Sequence, residues 1–340
     1  MRILIFLLVL FFMGCEKKQV PVVIGLDSDY SSIAKGIKNG MLLAQDESDI
    51  KFNFINDNGD INLTKKIDKN LILQHQPLII GHITSGITKS VLPLFNHSDT
   101  VIFSPTVSTN ELSHIDDNFI RVQSTKTYKS IEDIIKYISS FHKFNKMNII
   151  YDTNNKAYAN GLISALKDKR NKYIKINKII PINEENIKIS NIDKNIPVFI
   201  IGSSNLTAKI VKILKVNGFN SLIVVSGSAF TKDFIKASGK YGEGVLFFST
   251  FNPSSDNKNY LKFVSKFIEK FGYKPGSFEV KGYEIAKITT QVIDKRNIKN
   301  ALINHHFDGL QGKIYINKYG DTSRETHIFI LNNSIFEKVK

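Results

Sequence analysis

From Val20 onward the chain alternates short β-branched runs with amphipathic stretches of helical length, and few folds accept that pattern. Val22-Val23-Ile24-Gly25-Leu26 reads as a strand, and Ile33, Ile37, Met41 and Ala44 follow at helical spacing. Lys51 to Asn56 reads as a second strand, closed by the turn signal Asp57-Asn58-Gly59-Asp60 and followed by a helix marked by Leu63, Ile67 and Leu71. Strands are then predicted over 77–83, 100–104, 119–122, 147–151, 173–180, 198–201, 222–225 and 244–250, with helices between most of them. Fully apolar strands alternating with helices need parallel sheets covered on both faces. Two such series, one before about Ser124 and one after it, predict an α/β chain of two doubly wound parallel-sheet lobes. The tail differs: 256–271 and 277–294 read as longer helices, and 307–321 as strand, turn and strand.

The start of the chain sets the compartment. Met1-Arg2 is a short positive start, Ile3 to Met13 is apolar throughout, and Gly14-Cys15 precedes the charged Glu16-Lys17-Lys18. This order describes a secretory signal over residues 1–14, too short to span a bilayer. Cys15 is the only cysteine in the chain, so it has no internal disulfide partner. It stands where a lipoprotein signal peptidase needs its lipidated residue, and Phe12-Met13-Gly14-Cys15 resembles a lipobox with Phe12 where leucine is commonest. The expectation is an exported protein, in the periplasm or at the cell surface, tethered to the membrane through Cys15. Removal of the leader leaves about 325 residues, more than one core usually organises.

The formal net charge is +15. Its lysines are spread over almost every predicted helix, as on a solvated surface, so nucleic acid is not expected as a partner.

Four stretches resemble the type I periplasmic solute-binding proteins, specifically the leucine/isoleucine/valine-binding branch that serves ABC importers. They are Ile80-Gly81-His82-Ile83-Thr84-Ser85-Gly86, the loop Phe103 to Leu112 with Ser104-Pro105, Tyr151-Asp152 with Tyr158-Ala159-Asn160-Gly161-Leu162, and Phe307-Asp308-Gly309-Leu310-Gln311-Gly312 with Asn317 to Asp321. They lie in order, and the resemblance covers essentially the whole mature chain. It implies a three-crossover hinge, with residues 20–124 plus 251–324 forming lobe one and 125–250 plus 325–340 forming lobe two. It also implies a monomer that closes on a small polar solute and then meets an ABC transporter permease or a membrane sensor.

Ligands of open α/β sheets bind beyond the carboxyl ends of strands. Ser85 and Gly86 fall there, at a helix start suited to a carboxylate, although Ser85 serves equally as an N-cap. By resemblance, Thr106 and Ser108 face the same ligand, Tyr158 closes over it from lobe two, and Tyr30 lies near it. One departure matters. The amino-acid receptors carry an acid after the strand matching Leu222 to Val225, where this chain has Ser226-Gly227-Ser228-Ala229, and Ser203-Ser204 replace aromatics after Ile201-Gly202. A buried ammonium without a carboxylate is costly. An α-amino acid is therefore expected only if Asp27, Asp29 or another acid reaches in, and the hydroxyls of Ser85, Ser108, Ser203 and Ser228 suit a carboxylate, an amide or another small polar solute equally well.

An enzyme is not expected, and neither catalytic nor metal-binding residues nor a cofactor are assigned. The eight histidines are scattered or, at His305-His306, adjacent, and no H-E-x-x-H, G-x-S-x-G or phosphate-cradling glycine loop is present. The remaining alternative is a sensing or scaffold lipoprotein of the same fold.

Overall fold

The structure, a computed structural model, describes residues 17–125, 128–187, 189 and 192–339. The leader, residues 1–14, and Cys15 lie outside the described residues.

The first lobe runs β1 (Lys18–Ile24), α1 (Ser31–Gln45), β2 (Ile50–Asn56), α2 (Ile61–Leu73), β3 (Leu78–Ile80), α3 (Ser85–Val91), β4 (Val101–Ser104) and β5 (Phe119–Arg121). Its strands form one parallel sheet in the order β2-β1-β3-β4-β5. The turn signal after β2 works as read: Asn58 and Gly59 take positive φ, and the Asp60 carboxylate accepts the Leu63 N–H to cap α2. Every residue of β3 and β4 is buried, as expected of strands covered on both faces.

The second lobe runs α4 (Tyr128–His142), β6 (Lys146–Asp152), α5 (Lys156–Leu166), β7 (Lys175–Ile182), β8 (Val198–Ile201), α6 (Ser204–Val216), β9 (Ile223–Val225), α7 (Lys232–Ser238) and β10 (Leu246–Ser249). Its parallel strands lie in the order β7-β6-β8-β9-β10, the same winding as in the first lobe. Each sheet thus reverses direction beside its own first strand, between β1 and β3 in one lobe and between β6 and β8 in the other.

The chain then returns through α8 (Lys258–Phe271), α9 (Ser277–Val292), α10 (Ile298–Leu302) and the hairpin β11 (His305–Gly309) and β12 (Gly312–Ile316). It ends as β13 (His327–Asn332) and β14 (Ile335–Lys338), added antiparallel beyond β10. The two long helices and the closing hairpin are where the sequence pattern predicts them.

Helix α9 packs on α1 at very short range. A Cβ on Gly40 would overlap the Glu279 carbonyl oxygen, and one on Gly282 would overlap that of Ile37, so only glycine lets the two backbones approach this closely. Phe278, Ile285, Ile288 and Val292 of α9 join Ile33, Ile37 and Met41 of α1 in the core of the first lobe. Helix α8 contributes Tyr260, Phe263 and Phe267 to a cluster shared with Phe230 and Phe247 of the second lobe, while Lys266 and Lys270 pair with Glu47 and Asp46 just beyond α1.

The crossing segments are tied together. Arg121, fully buried at the end of β5, donates to Asp321 Oδ1 from Nε at 3.0 Å and Nη2 at 2.6 Å, and to Thr109 O from Nη1 at 2.8 Å. Thr322 Oγ1 donates to Arg121 O at 2.6 Å, and Ser124 bridges Thr322 in parallel. The guanidinium is thereby paired and hydrogen-bonded, the condition for burying such a charge.

Candidate functional site

The loops at the carboxyl ends of the parallel strands face one another across a cleft with a cavity of about 50 Å³. From the first lobe come Tyr30 and Ile33 after β1, Ile83 and Ser85 after β3, Thr106 and Ser108 after β4, and Gln123 after β5. The second lobe supplies Asn155 and Tyr158 after β6, Gly227 and Ser228 after β9, and Phe248 to Thr250 at the end of β10. Phe278 and Lys281 enter from α9.

Six of the eight predicted ligand residues line this cleft: Tyr30, Ser85, Thr106, Ser108, Tyr158 and Ser228. Ser203 does not. Its side chain turns back on its own helix, where Oγ accepts the Leu206 N–H at 3.4 Å and caps α6. Gly86 also stands outside the lining, because its N–H is already donated to Asn155 Oδ1 of the opposite lobe at 3.0 Å. The cap of α3 is Thr84, whose Oγ1 accepts from Ile87 N, so the N-cap alternative for Ser85 does not hold.

The hydroxyls divide into two kinds. Thr106 Oγ1 donates to Ile83 O at 2.8 Å, and Ser228 Oγ donates to Gly202 O at 2.7 Å while meeting Ser226 Oγ at 2.8 Å. These two protons are committed to holding loops. Ser85 and Ser108 are each buried, yet no described residue hydrogen-bonds their hydroxyls, which stay available to a ligand.

The tyrosines wall the cleft. Burial raises the pKa of both phenols, and for Tyr30 the Asp152 carboxylate adds to the effect; both stay protonated as donors. Tyr30 Oη donates to Asp152 Oδ2 of the other lobe at 3.1 Å. Tyr158 meets Ser226 and Ser228, whose hydrogen bonds partly offset its burial. A third link between the lobes, Asn154 Nδ2 to Asp29 Oδ2 at 3.2 Å, closes the same rim.

Sequence reasoning passed over Gln123, Asn155, Phe248, Phe278 and Lys281. Phe278 and Lys281 sit three residues apart on one face of α9. Lys281 is only 7% exposed; its Nζ donates to Ser277 Oγ at 2.8 Å and lies 4.9 Å from the centre of the Phe278 ring.

Behind the loop that carries Ser85, His82 is wholly buried, with Nε2 2.9 Å from Asp68 Oδ2 and Nδ1 facing Asp57 Oδ2 at 3.8 Å. Burial pulls the imidazole pKa down, but the charges and hydrogen bonding of Asp68 and Asp57 outweigh it and raise it to about 9. His82 O accepts from Ser104 Oγ at 2.7 Å, which ties the β3 and β4 loops together under the cleft.

Two α/β lobes with a cleft between their strand ends define the type I periplasmic-binding-protein fold, and known structures match it over nearly their whole length. The leucine-binding protein LivK of Thermotoga maritima is similar at TM-score 0.83 and 16% identity, covering 95% of this chain and 98% of that one. LivJ of Streptococcus pneumoniae, a branched-chain amino-acid substrate-binding protein in complex with isoleucine, matches at TM-score 0.82 and 16% identity, over 94% of this chain and 98% of that one. An ABC-transporter solute-binding protein of R. palustris in complex with benzoate matches at 0.81 and 13%, over 94% and 95%. No protein-family model and no curated protein sequence matches the chain. The predicted fold, including its likeness to the leucine/isoleucine/valine-binding branch, is therefore the observed one.

Proposed function

We propose that the chain is an extracytoplasmic solute-binding lipoprotein, anchored through Cys15, that captures a small polar solute between its lobes and delivers it to an ABC importer. The observation that carries this reading is the cleft itself. It collects the strand ends of both lobes and is lined by buried hydroxyls, an amide pair and aromatic rings, the mixture of apolar wall and few placed polar groups that small-molecule sites show. Structural neighbours crystallised with isoleucine and with benzoate support a ligand of that size. Lobe one is taken as 20–124 plus 251–324 and lobe two as 125–250 plus 325–340, so the solute touches both and its binding favours the closed arrangement. The binding set is Ser85, Ser108, Tyr30 and Tyr158, with Thr106 and Ser228 fixing their loops.

A thermal-shift screen of the full chain against amino acids, organic acids, amides and sugars is expected to give at least one stabilising compound, confirmed by titration. The Ser85→Ala, Ser108→Ala double variant should weaken it by roughly tenfold or more, the worth of two hydrogen bonds of ~1 kcal/mol each. Folded protein that responds to no compound in the screen overturns the reading.

A further inference from the structure

Lysines occur on almost every helix, but their excess over acids is not evenly laid along the chain. From Lys136 to Lys178 ten Lys and Arg stand against two Asp, a net +8 of the total +15 within 43 residues. Of those two acids, Asp152 faces Tyr30 at the rim of the cleft and Asp168 pairs with Arg170 at 2.7 Å. The fold gathers the bases on one face of the second lobe, formed by α4 and the connection from α5 to β7. Lys146 and Lys175 are partners in register at the starts of β6 and β7, and Lys136 Nζ lies 5.8 Å from the centre of the Tyr173 ring. Lys143, Lys169, Arg170 and Lys172 are exposed on the two connections that lead into those strands. Helix α4 itself adds Glu132, paired with Lys136 at 2.6 Å, and Asp133. An apolar ring stands beside this charge. The buried stripe of α4 is Ile131, Ile134, Ile135 and Ile138, and Phe141 continues it at helical spacing. Yet Phe141 is 74% exposed, its ring stacked on Tyr137 at 4.8 Å, with Lys143 and Lys146 just beyond it in the chain.

Independently of what the cleft holds, we infer that this face docks on an anionic lipid surface. The basic side chains meet headgroup phosphates, an attraction that acts within about a Debye length of the bilayer. Phe141 enters the boundary between headgroups and acyl chains, where the ring leaves water while the neighbouring lysines reach back to the phosphates. Charge alone fits any polyanion. The outward ring on the apolar stripe of α4 favours a bilayer over a soluble polymer. Lys18 opens β1 in lobe one, whereas this face belongs to lobe two. With the Cys15 anchor proposed above, the molecule is then held at both lobes and lies along the bilayer instead of hanging from one end.

The test uses the chain from Lys17 onward, which keeps every described helix and strand and carries no acyl group. It should sediment with vesicles of equal parts phosphatidylglycerol and phosphatidylcholine, stay in solution with phosphatidylcholine alone, and be released as salt rises. The triple variant Lys143→Gln, Lys169→Gln, Lys172→Gln should bind at least ~10-fold more weakly, from the loss of three charges near the surface. Lys65→Gln, Lys66→Gln, Lys69→Gln on α2 of lobe one removes the same charge elsewhere and should change binding by less than ~2-fold. Phe141→Ser should weaken binding at least ~3-fold with no change in charge. The chain has no tryptophan, so Phe141→Trp supplies a single reporter whose emission should move to the blue on the anionic vesicles. All these side chains lie at the surface or half-buried, and melting curves check that each variant is folded. Absence of binding, equal binding to both kinds of vesicle, or an equal loss in the α2 variant overturns the inference. So does binding that depends on the lysines but neither on Phe141 nor with a blue shift in Phe141→Trp, the pattern of a charge-only contact with a soluble polyanion. None of these outcomes bears on solute capture by the cleft.

Discussion

His82 shows how much a single side chain under the cleft can carry. Its folded pKa, about 9, stands above the ordinary imidazole value of 6.5, so the folded state holds the proton more tightly than the unfolded chain. The stabilisation this provides is complete below the unfolded value and is lost as pH rises through the folded one. The melting temperature should therefore fall between roughly pH 6.5 and 9, and the same scan on His82→Leu should be flat across that window. The variant should also be less stable near neutrality by roughly 3–5 kcal/mol, because two buried carboxylates lose their partner. A wild-type scan with no slope in that window refutes the charged-pair account. At this scale the sequence was only partly readable. Ser85, Thr106, Ser108, Ser228 and the two tyrosines follow strands directly, and strand ends are where such sheets bind. Lys281 was hidden because it is one lysine on a helix in a chain with 46 Lys and Arg. Only the packing of that helix removes it from the surface. Ser203 misled for the opposite reason, since a serine opening a helix serves that helix before it serves a ligand.

Among the elements, α1 and α9 are joined more tightly than any propensity argument foretells. Gly40 and Gly282 lose the helix stability that alanine would give, and they recover it by letting the backbones touch. Gly282→Ala should cost roughly 1–3 kcal/mol in urea unfolding, since the added methyl must push the helices apart. It should also weaken solute binding, because α9 is the element that delivers Phe278 and Lys281 to the cleft. Retention of full stability and affinity would show that the contact gives way elsewhere. The strands, their intervening helices and the closing hairpin were legible as local patterns of period and turn chemistry. Which helix lies on which sheet was not, because that choice is made by contacts across two hundred residues or more, such as Gly40 with Glu279 and Arg121 with Asp321.

For the molecule as a whole, the repeated winding of the two sheets explains why one reading of the sequence served both halves. Each lobe places its direction change beside its first strand, so the cleft falls at two matching points. The crossovers came from family resemblance and not from any local pattern, since a connection between lobes has no periodicity of its own. Arg121, Asp321, Thr322 and Ser124 hold these connections side by side at the base.

The opposite rim, where Gly86 N meets Asn155 and Tyr30 meets Asp152, has a consequence for time and not only for affinity. If the solute enters only where the rim parts, its arrival waits on the rupture of these bonds. The observed association rate should level off as solute concentration rises, at the frequency with which the rim parts. Asn155→Ala should raise that plateau about fivefold, the kinetic equivalent of one hydrogen bond of ~1 kcal/mol. The chain has no tryptophan, and Tyr30 and Tyr158 wall the cleft, so stopped-flow tyrosine emission can follow the event directly. A rate that climbs without limit in the wild-type protein would mean the rim is no barrier. If it does level off, the pace of solute uptake is governed by a latch built partly from the cleft's own lining.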